Sequence, residues 1–501
     1  MKPMNWLSCL TNRGRRMLQM LLYADVELQR PPLSHLSAAP EQLPLWVQHS
    51  PIAMRYLRFL GPLAWDRVPR RPLPKQPLMA PLPYVPFLAA CLVKVDQQIC
   101  SMARLREYLG DHPALTWLLG FPLLESAESP WGFDVEASLP THRHFTHMLR
   151  TIPNAVLQTL LDSTVALLQD ALPNTVQFGQ AVSLDTKHII AWVKQNNPKA
   201  YLRRNDRYDK TKQPPGDPDC RLGCKKRRNQ SPAEQPSIPT PKENPVPAGN
   251  LKVGQWYWGY ATGLVATKVP GWGEFVLAEH TQPLNCSDVS YFFPLMKATT
   301  TRLGFHPLYG AFDAAFDTWY VHEDFHSEAH DGFAAVPFNE RGKHPKYEFD
   351  KEGRPLCQAG LSMPLRSQFW SKRSLVPHTQ GRYACPFIYP QKQDKSCPIS
   401  HKNWAKGGCV STLPLSIGAR LRYQLDRKSQ AYKTVYKQRT ATERVNSQAV
   451  KLGIERPNLR NGKAIANQNT LIYIVMNLRA LQRVRQQKSS GATPSEEMHQ
   501  E

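Results

Sequence analysis

No stretch of 18 apolar residues occurs anywhere in the 501-residue chain, so no segment is suited to crossing a bilayer as a helix. Acidic residues are in short supply: 40 Asp and Glu face 63 Lys and Arg, for a formal net charge of +23. That surplus makes a polyanion the natural partner, and its clustering favours nucleic acid over a membrane surface. The ten cysteines are irregularly spaced and contain no CxxC pair, which excludes the disulfide framework of a small secreted domain and predicts reduced thiols. The first residues carry arginines and a short apolar patch but neither an adequate h-region nor a small-residue cleavage site, which predicts no signal peptide and a cytoplasmic location. No internal repeat is present.

What is present divides by period. Residues 1–79, rich in Pro, Arg and Leu, give scattered helical signals and read as a poorly defined N-terminal segment. Apolar residues at spacings of three and four predict a helical domain over 80–175, with Ser101 as an N-cap. Near 178 the period changes to that of a strand, ending near Asp185. Residues 194–228 then hold 12 Lys or Arg against 4 Asp, and 230–249 are dominated by Pro, Ser, Asn and Glu. The stretch 194–250 therefore reads as a disordered basic insertion. Two strands joined by Pro270-Gly271-Trp272-Gly273 follow, then a helix from Ser287 to Gly304, a strand ending at Asp313, a helix from Asp317, and a short strand over Ala334–Phe338. Residues 176–340 thus form the first part of an α/β core, a mixed five-stranded sheet with flanking helices. Loops and short strands over 341–417 precede a late helix over 418–451, a C-terminal helix ending near 487, and a polar tail at 488–501.

Acidic side chains at strand ends suit one particular chemistry. Cleavage of a phosphodiester by two divalent ions needs carboxylate oxygens converging from separate segments, because hard Mg²⁺ or Mn²⁺ prefers oxygen ligands. Asp185 and Asp313 each end an apolar strand, where α/β proteins place their sites. An Asp at a strand end equally serves to cap a turn, so neither residue alone decides the matter. On the late helix Tyr436, Arg439 and Glu443 fall at i, i+3 and i+7, one face that offers an aromatic hydroxyl, a guanidinium and a carboxylate. An amphipathic, solvated helix is the competing reading.

Taken together, Tyr436-Lys-Gln-Arg439-Thr-Ala-Thr-Glu443 resembles the Tyr, two residues, Arg, three residues, Glu signature of the Asp-Asp-Glu (DDE) transposases of bacterial insertion sequences. Ser-Leu-Asp185-Thr-Lys resembles the first-aspartate strand of that family, Asp313-Ala-Ala-Phe-Asp317 its second-aspartate motif, and Glu279 to Asp288 the stretch between them. The helices of 86–172 are similar to the family's N-terminal domain, and the resemblance covers roughly 80–485. It implies a ribonuclease H-like catalytic domain in which Asp185, Asp313 and Glu443 hold two Mg²⁺ or Mn²⁺ ions. It further implies that Tyr436 and Arg439 clamp DNA phosphate, and that double-stranded DNA, as element ends and target, is bound by a homodimer or larger synaptic assembly. One departure stands out: the family's following Lys falls at the place of Val450, and this chain has Lys451 one position later. About 80° around the helix from Glu443, Lys451 is carried over as a DNA contact on the length of its side chain alone.

Other candidates compete. Cys357, Cys385, Cys397 and Cys409, with His401 nearby, are either scattered reduced thiols, the reading that the missing CxxC favours, or ligands of a structural zinc. Trp370, Tyr383, Phe387, Tyr389 and Trp404 among basic residues suit base stacking, or a small core of their own. His322 and His326, at i and i+4, lack two further ligands. Two alternatives to a transposase stay open: a ribonuclease H-like nuclease without strand transfer, and a transposase-derived DNA-binding protein that has lost catalysis. The three retained acidic positions argue against the second.

Overall fold

The computed structural model describes residue 14 and residues 33–72, 83–224, 256–326, 332–339 and 347–490, apart from 125, 129, 131, 373, 395 and 400–402. Helices α1 (Pro51–Leu60), α2 (Tyr84–Asp96), α3 (Met102–Asp111), α4 (Pro113–Leu118), α5 (His142–Thr151) and α6 (Asn154–Ala171) precede the first strand. Their starts follow local chemistry. Ser50, Ser101 and Thr141 accept the backbone N–H three residues on, and Pro51 and Pro113 occupy first-turn positions where no N–H is needed.

Ten residues form β1 (Ala181–Ile190), which lies beside the 14-residue β3 (Trp256–Val269) in antiparallel register, Asp185 opposite Leu264. Strand β3 turns back through Gly271 and Gly273, both at positive φ, into β4 (Gly273–Pro283). A short β2 (Arg221–Cys224) pairs with the far part of β3. Helix α7 (Phe292–Leu303), ended by Gly304 in the left-handed region, leads to β5 (Tyr309–Ala311), and α8 (Trp319–Asp324) leads to β6 (Phe333–Ala335). Both β5 and β6 run parallel to β1, giving the order β2–β3–β1–β5–β6 with β4 also on β3. This is a mixed, two-sided α/β sheet.

Both faces are covered, and β3 records it by its period of two. Trp258, Tyr260, Leu264 and Ala266 enter the core built with the N-terminal helices, whereas Tyr257, Ala261 and Val265 enter the core built with α7. The helix α12 (Gly462–Ser489) runs between the N-terminal helices and β4. Several of its buried polar residues act as fasteners. Asn467 donates to the carbonyls of Leu149 and Ile152 at 2.8 and 2.9 Å, capping the end of α5. Asn477 accepts from Val276 N at 3.0 Å and donates to Val276 O at 2.8 Å, so its amide takes the place of a neighbouring strand along the edge of β4. Buried Asp96 ties α1, α2 and α12 together through Arg55, Tyr56 and Arg479.

The third layer is a separate antiparallel sheet of β7 (Leu365–Ser371), β8 (His378–Ala384) and β9 (Val410–Pro414). It is followed by α9 (Ile417–Gln424), α10 (Gln430–Tyr436) and α11 (Thr440–Lys451). Among the described residues no helix is long and apolar enough to cross a membrane.

Several expectations need correction. Within 1–79, residues 33–72 are well defined: Leu33, Leu36, Val47, Tyr56 and Trp65 are buried in the same core as α2, α12 and the sheet. The helices of 80–175 share that core. The sheet has six strands, not five, because the expected disordered insertion 194–250 begins as ordered structure. There Asp217 accepts from the Tyr260 hydroxyl at 2.6 Å, Arg207 O accepts from the Trp258 indole at 2.9 Å, and β2 joins the sheet. Large aromatic residues of β3 supply the anchoring that the polar composition of 194–224 conceals; residues 225–255 lie outside the described residues, as do 491–501 in the expected tail. The helix expected after Asp317 spans only Trp319–Asp324, with 327–331 outside the description. The late helix is not continuous over 418–451. Asp426 accepts from Lys428 N at 2.9 Å and Ser429 from Tyr432 N at 3.2 Å, local bonds that break the helix and restart it.

Candidate active site

Strand register brings the two aspartates to the same height. The parallel pairing of β1 with β5 ends at Ser183 opposite Ala311, so Asp185 and Asp313 each stand two residues beyond the last pair. Asp185 does not end its strand, as expected, but lies in the middle of β1; it is β5 that stops, leaving the Asp185 side chain half-buried where its neighbour ends. Asp313 turns away from the strand into a short 3₁₀ turn, accepting from Ala315 N at 2.8 Å.

The other half of the site comes from the last helices. Tyr436 ends α10, Lys437–Arg439 form a 3₁₀ turn, and Glu443 lies in the first turn of α11. Because residues three apart eclipse one another in a 3₁₀ turn, Tyr436 and Arg439 stay on one side despite the break. Tyr436 stacks on Tyr432 with ring centroids 5.7 Å apart. Arg439 pairs with Glu443 at 3.0 Å across one helical turn. Burial works against the charge of this guanidinium, but Tyr436, Glu443, Asp185 and Asp313 outweigh it and hold its pKa above the ordinary value. One arginine therefore feels all three predicted carboxylates.

Asp185 carries the strongest perturbation. Burial pushes its pKa up to about 6, with the Thr186 backbone N–H and Arg439 acting the other way and Asp313 and Asp288 adding to the rise. Its Oδ2 accepts from Asn446 Nδ2 at 3.2 Å. Asn446 is a residue that pattern reading missed, although it sits at i+7 from Arg439 and i+3 from Glu443, on the same helix face. Two polar atoms in this group, Arg439 Nε and Asn446 Oδ1, are buried without a hydrogen-bond partner among the described residues. Such orphans in a charged cluster call for a ligand or water to complete them.

Lys451 is exposed at the last position of α11, two helical turns past Glu443, apart from this cluster. Asp317 and His322 belong to a different assembly. Asp317 is buried, accepts from Arg422 at 2.8 Å and Asn339 N at 2.8 Å, and pairs with His322 at 3.1 Å and Arg427 at 3.5 Å. Burial alone would raise its pKa, but these donors bring it down to about 2. His322 is buried and held neutral by desolvation, a structural partner of Asp317. Glu279, in the stretch between the aspartates, is likewise buried and hydrogen-bonded to Gln158, with burial raising its pKa.

Among the described residues no three His, Cys, Asp or Glu side chains are drawn together closely enough to hold a metal ion. The trio is arranged instead around Arg439, with Glu443 44 % exposed and engaged by that arginine. Neither a protein-family model nor a curated protein matches the chain.

Proposed function

We propose that this chain is a DNA transposase of the cut-and-paste kind, which cleaves at the ends of a mobile element and joins the freed 3′-hydroxyls to target DNA. The observation that carries the reading is the convergence of Asp185, Asp313 and Glu443, from β1, the end of β5 and α11, on the single guanidinium of Arg439. Antiparallel β1, β3 and β4, followed by β5 and β6 parallel to β1, with β1 central and the short β2 added at one edge, support a ribonuclease H-like core for it. The net charge of +23 supports duplex DNA as the partner, and two paired element ends imply a dimer or larger assembly acting in the cytoplasm.

The donor set has the chemistry that hard divalent ions prefer, and such ions would have to draw its three carboxylates together. The set consists of carboxylate oxygens, and Asp185 is a half-buried carboxylate whose pKa is raised first by burial and then by the nearby Asp313 and Asp288, with Arg439 acting against the rise. Asp185, Asp313 and Glu443 would hold the ions, and Mg²⁺ or Mn²⁺ there would supply Lewis-acid activation of water and of the phosphodiester. Asn446 orients the Asp185 carboxylate through its 3.2 Å bond. Arg439 has a buried Nε without a hydrogen-bond partner among the described residues, a donor suited to a phosphate oxygen, and Tyr436 stands beside it. Phosphate binding at Arg439 would release Glu443 from its ion pair for metal ligation.

The test is direct. Purified protein with Mg²⁺ and labelled duplex carrying the element's terminal repeats should give strand cleavage with free 3′-hydroxyl ends and then joined products. Cleavage without joining would make the chain a nuclease. End binding with no cleavage in either metal would make it a DNA-binding protein and sink the reading.

A further inference from the structure

The small sheet β7–β9 carries a set of thiols for which the catalytic reading has no use. Cys357, Cys385, Cys397 and Cys409 are dispersed over more than fifty positions, and none of the four is in a disulfide. Folding gathers them. Cys357 and Cys409 both pack on Met363, Tyr383 and Leu413. Cys385 directly follows β8, and Cys409 directly precedes β9, the strand paired with it. Cys385 also lies against the neighbour of Cys409, since a Cβ built on Gly408 would stand 2.7 Å from the Cys385 Cβ and 3.3 Å from its sulfur. Cys357, Cys385 and Cys397 all lie within electrostatic reach of the Cys409 sulfur.

The local backbone is turned for sulfur ligation. The N–H of Gln358, the residue after Cys357, donates to the Cys409 sulfur. Gly360 N donates to Cys357 O at 2.9 Å, and Ile388 N and Tyr389 N donate to Cys385 O at 3.1 and 3.0 Å, which makes a tight turn after each cysteine. Gly407 and Gly408, with φ of 97° and 83°, turn the chain immediately before Cys409. We propose that Cys357, Cys385, Cys397 and Cys409 form a four-thiolate site for one structural zinc ion that fastens the 385–409 loop to the β7–β9 sheet.

The chemistry selects the metal. Sulfur donors favour zinc over the hard ions of the carboxylate site, and four cysteines close a tetrahedral site that leaves no position for catalysis. The need is physical too, because among the described residues the sheet's core has three buried side chains, and β7 exposes Phe369 and Trp370, a small apolar core that a metal would supplement. As they stand, no three of the sulfurs are drawn tightly enough to grip an ion, so binding would contract them onto zinc at about 2.3 Å.

The full-length protein, purified from zinc-supplemented cells without chelator, should carry about one zinc per chain by elemental analysis. Replacement by Co²⁺ should give the intense thiolate charge-transfer and tetrahedral visible bands. Cys385→Ser and Cys409→Ser should each lose the metal, whereas Cys286→Ser, outside the group, should keep it. The cobalt spectrum of the unaltered protein needs no variant to fold. Absence of zinc together with absence of those bands would overturn the proposal, as would zinc retained in both Cys385→Ser and Cys409→Ser.

Discussion

Asp185 and Asp313 stand at equal height on neighbouring parallel strands, each two residues past the Ser183–Ala311 pair, and each carboxylate acts on the other and on Arg439. Two carboxylates so placed repel one another, and the fold tolerates them because β5 ends early enough to leave room beside Asp185. The cost of keeping that arrangement is measurable.

With its pKa raised to about 6, Asp185 binds protons more tightly in the folded chain than in the unfolded one, where the value is near 3.9. The sign follows: its contribution to stability is fully present below about pH 4, falls as pH rises through about 6, and is flat above. Asp185→Asn, which keeps the shape without the charge, should therefore melt above the unaltered protein at pH 7.5, by at most about 3 kcal/mol. The gap should close at pH 4. Calorimetry across pH would expose a constant gap, which would mean that Asp185 is not the titrating group. Added Mg²⁺ should stabilise the unaltered protein more than the variant.

Asp317 presents the opposite case. Its pKa, lowered to about 2, contributes stability that is present above the unfolded value and lost as pH falls through about 2. Asp317→Ala leaves Arg422 and Arg427 without their buried partner and should cost about 3–5 kcal/mol. Because these arginines lie at the return from the β7–β9 sheet, limited proteolysis should first cut between 340 and 417. Unchanged melting would show the pairings to be ornamental.

Asn477→Leu tests the edge of β4. Removing the amide strands both Val276 N and Val276 O in the core, at a cost of about 2–4 kcal/mol. Hydrogen exchange at Val276 should accelerate along with the loss. Equal protection in the variant would show that the strand edge needs no fastener.

Pattern reading found the elements whose period is set by burial and lost those set by distant partners. The strand at Asp185, the hairpin through Gly271 and Gly273 and the helix closed by Gly304 were all legible, since turn chemistry and apolar spacing act locally. Residues 194–224 were not, because their order rests on Tyr260 and Trp258 of a strand far along the chain. Arg439 was legible on the helix face it shares with Glu443, but its place as the common neighbour of Asp185, Asp313 and Glu443 comes from packing. Asn446 lies on that same helix face, three residues past Glu443, where the helical period alone could have pointed to it. The four cysteines were discounted for lacking CxxC, yet sequence spacing says nothing about thiols joined through paired strands.

Arg439 and Glu443, paired at 3.0 Å, offer the sharpest separation of roles. Glu443→Gln keeps size and hydrogen bonding but removes the charge that would hold a divalent ion, so binding to DNA ends should survive while Mg²⁺-dependent cleavage falls by orders of magnitude. A correctly placed metal supplies several kcal/mol of barrier reduction, and each roughly 1.4 kcal/mol is tenfold in rate. Arg439→Ala should weaken end binding as well as turnover, with a shallower salt dependence, because its expected partner is phosphate. Arg439→Lys, a point charge without the paired donors, should recover part of the binding and little of the turnover. Filter binding and single-turnover cleavage on one labelled duplex measure both quantities. Near-normal cleavage by Glu443→Gln would remove Glu443 from the active site and leave the ion pair as a helix staple.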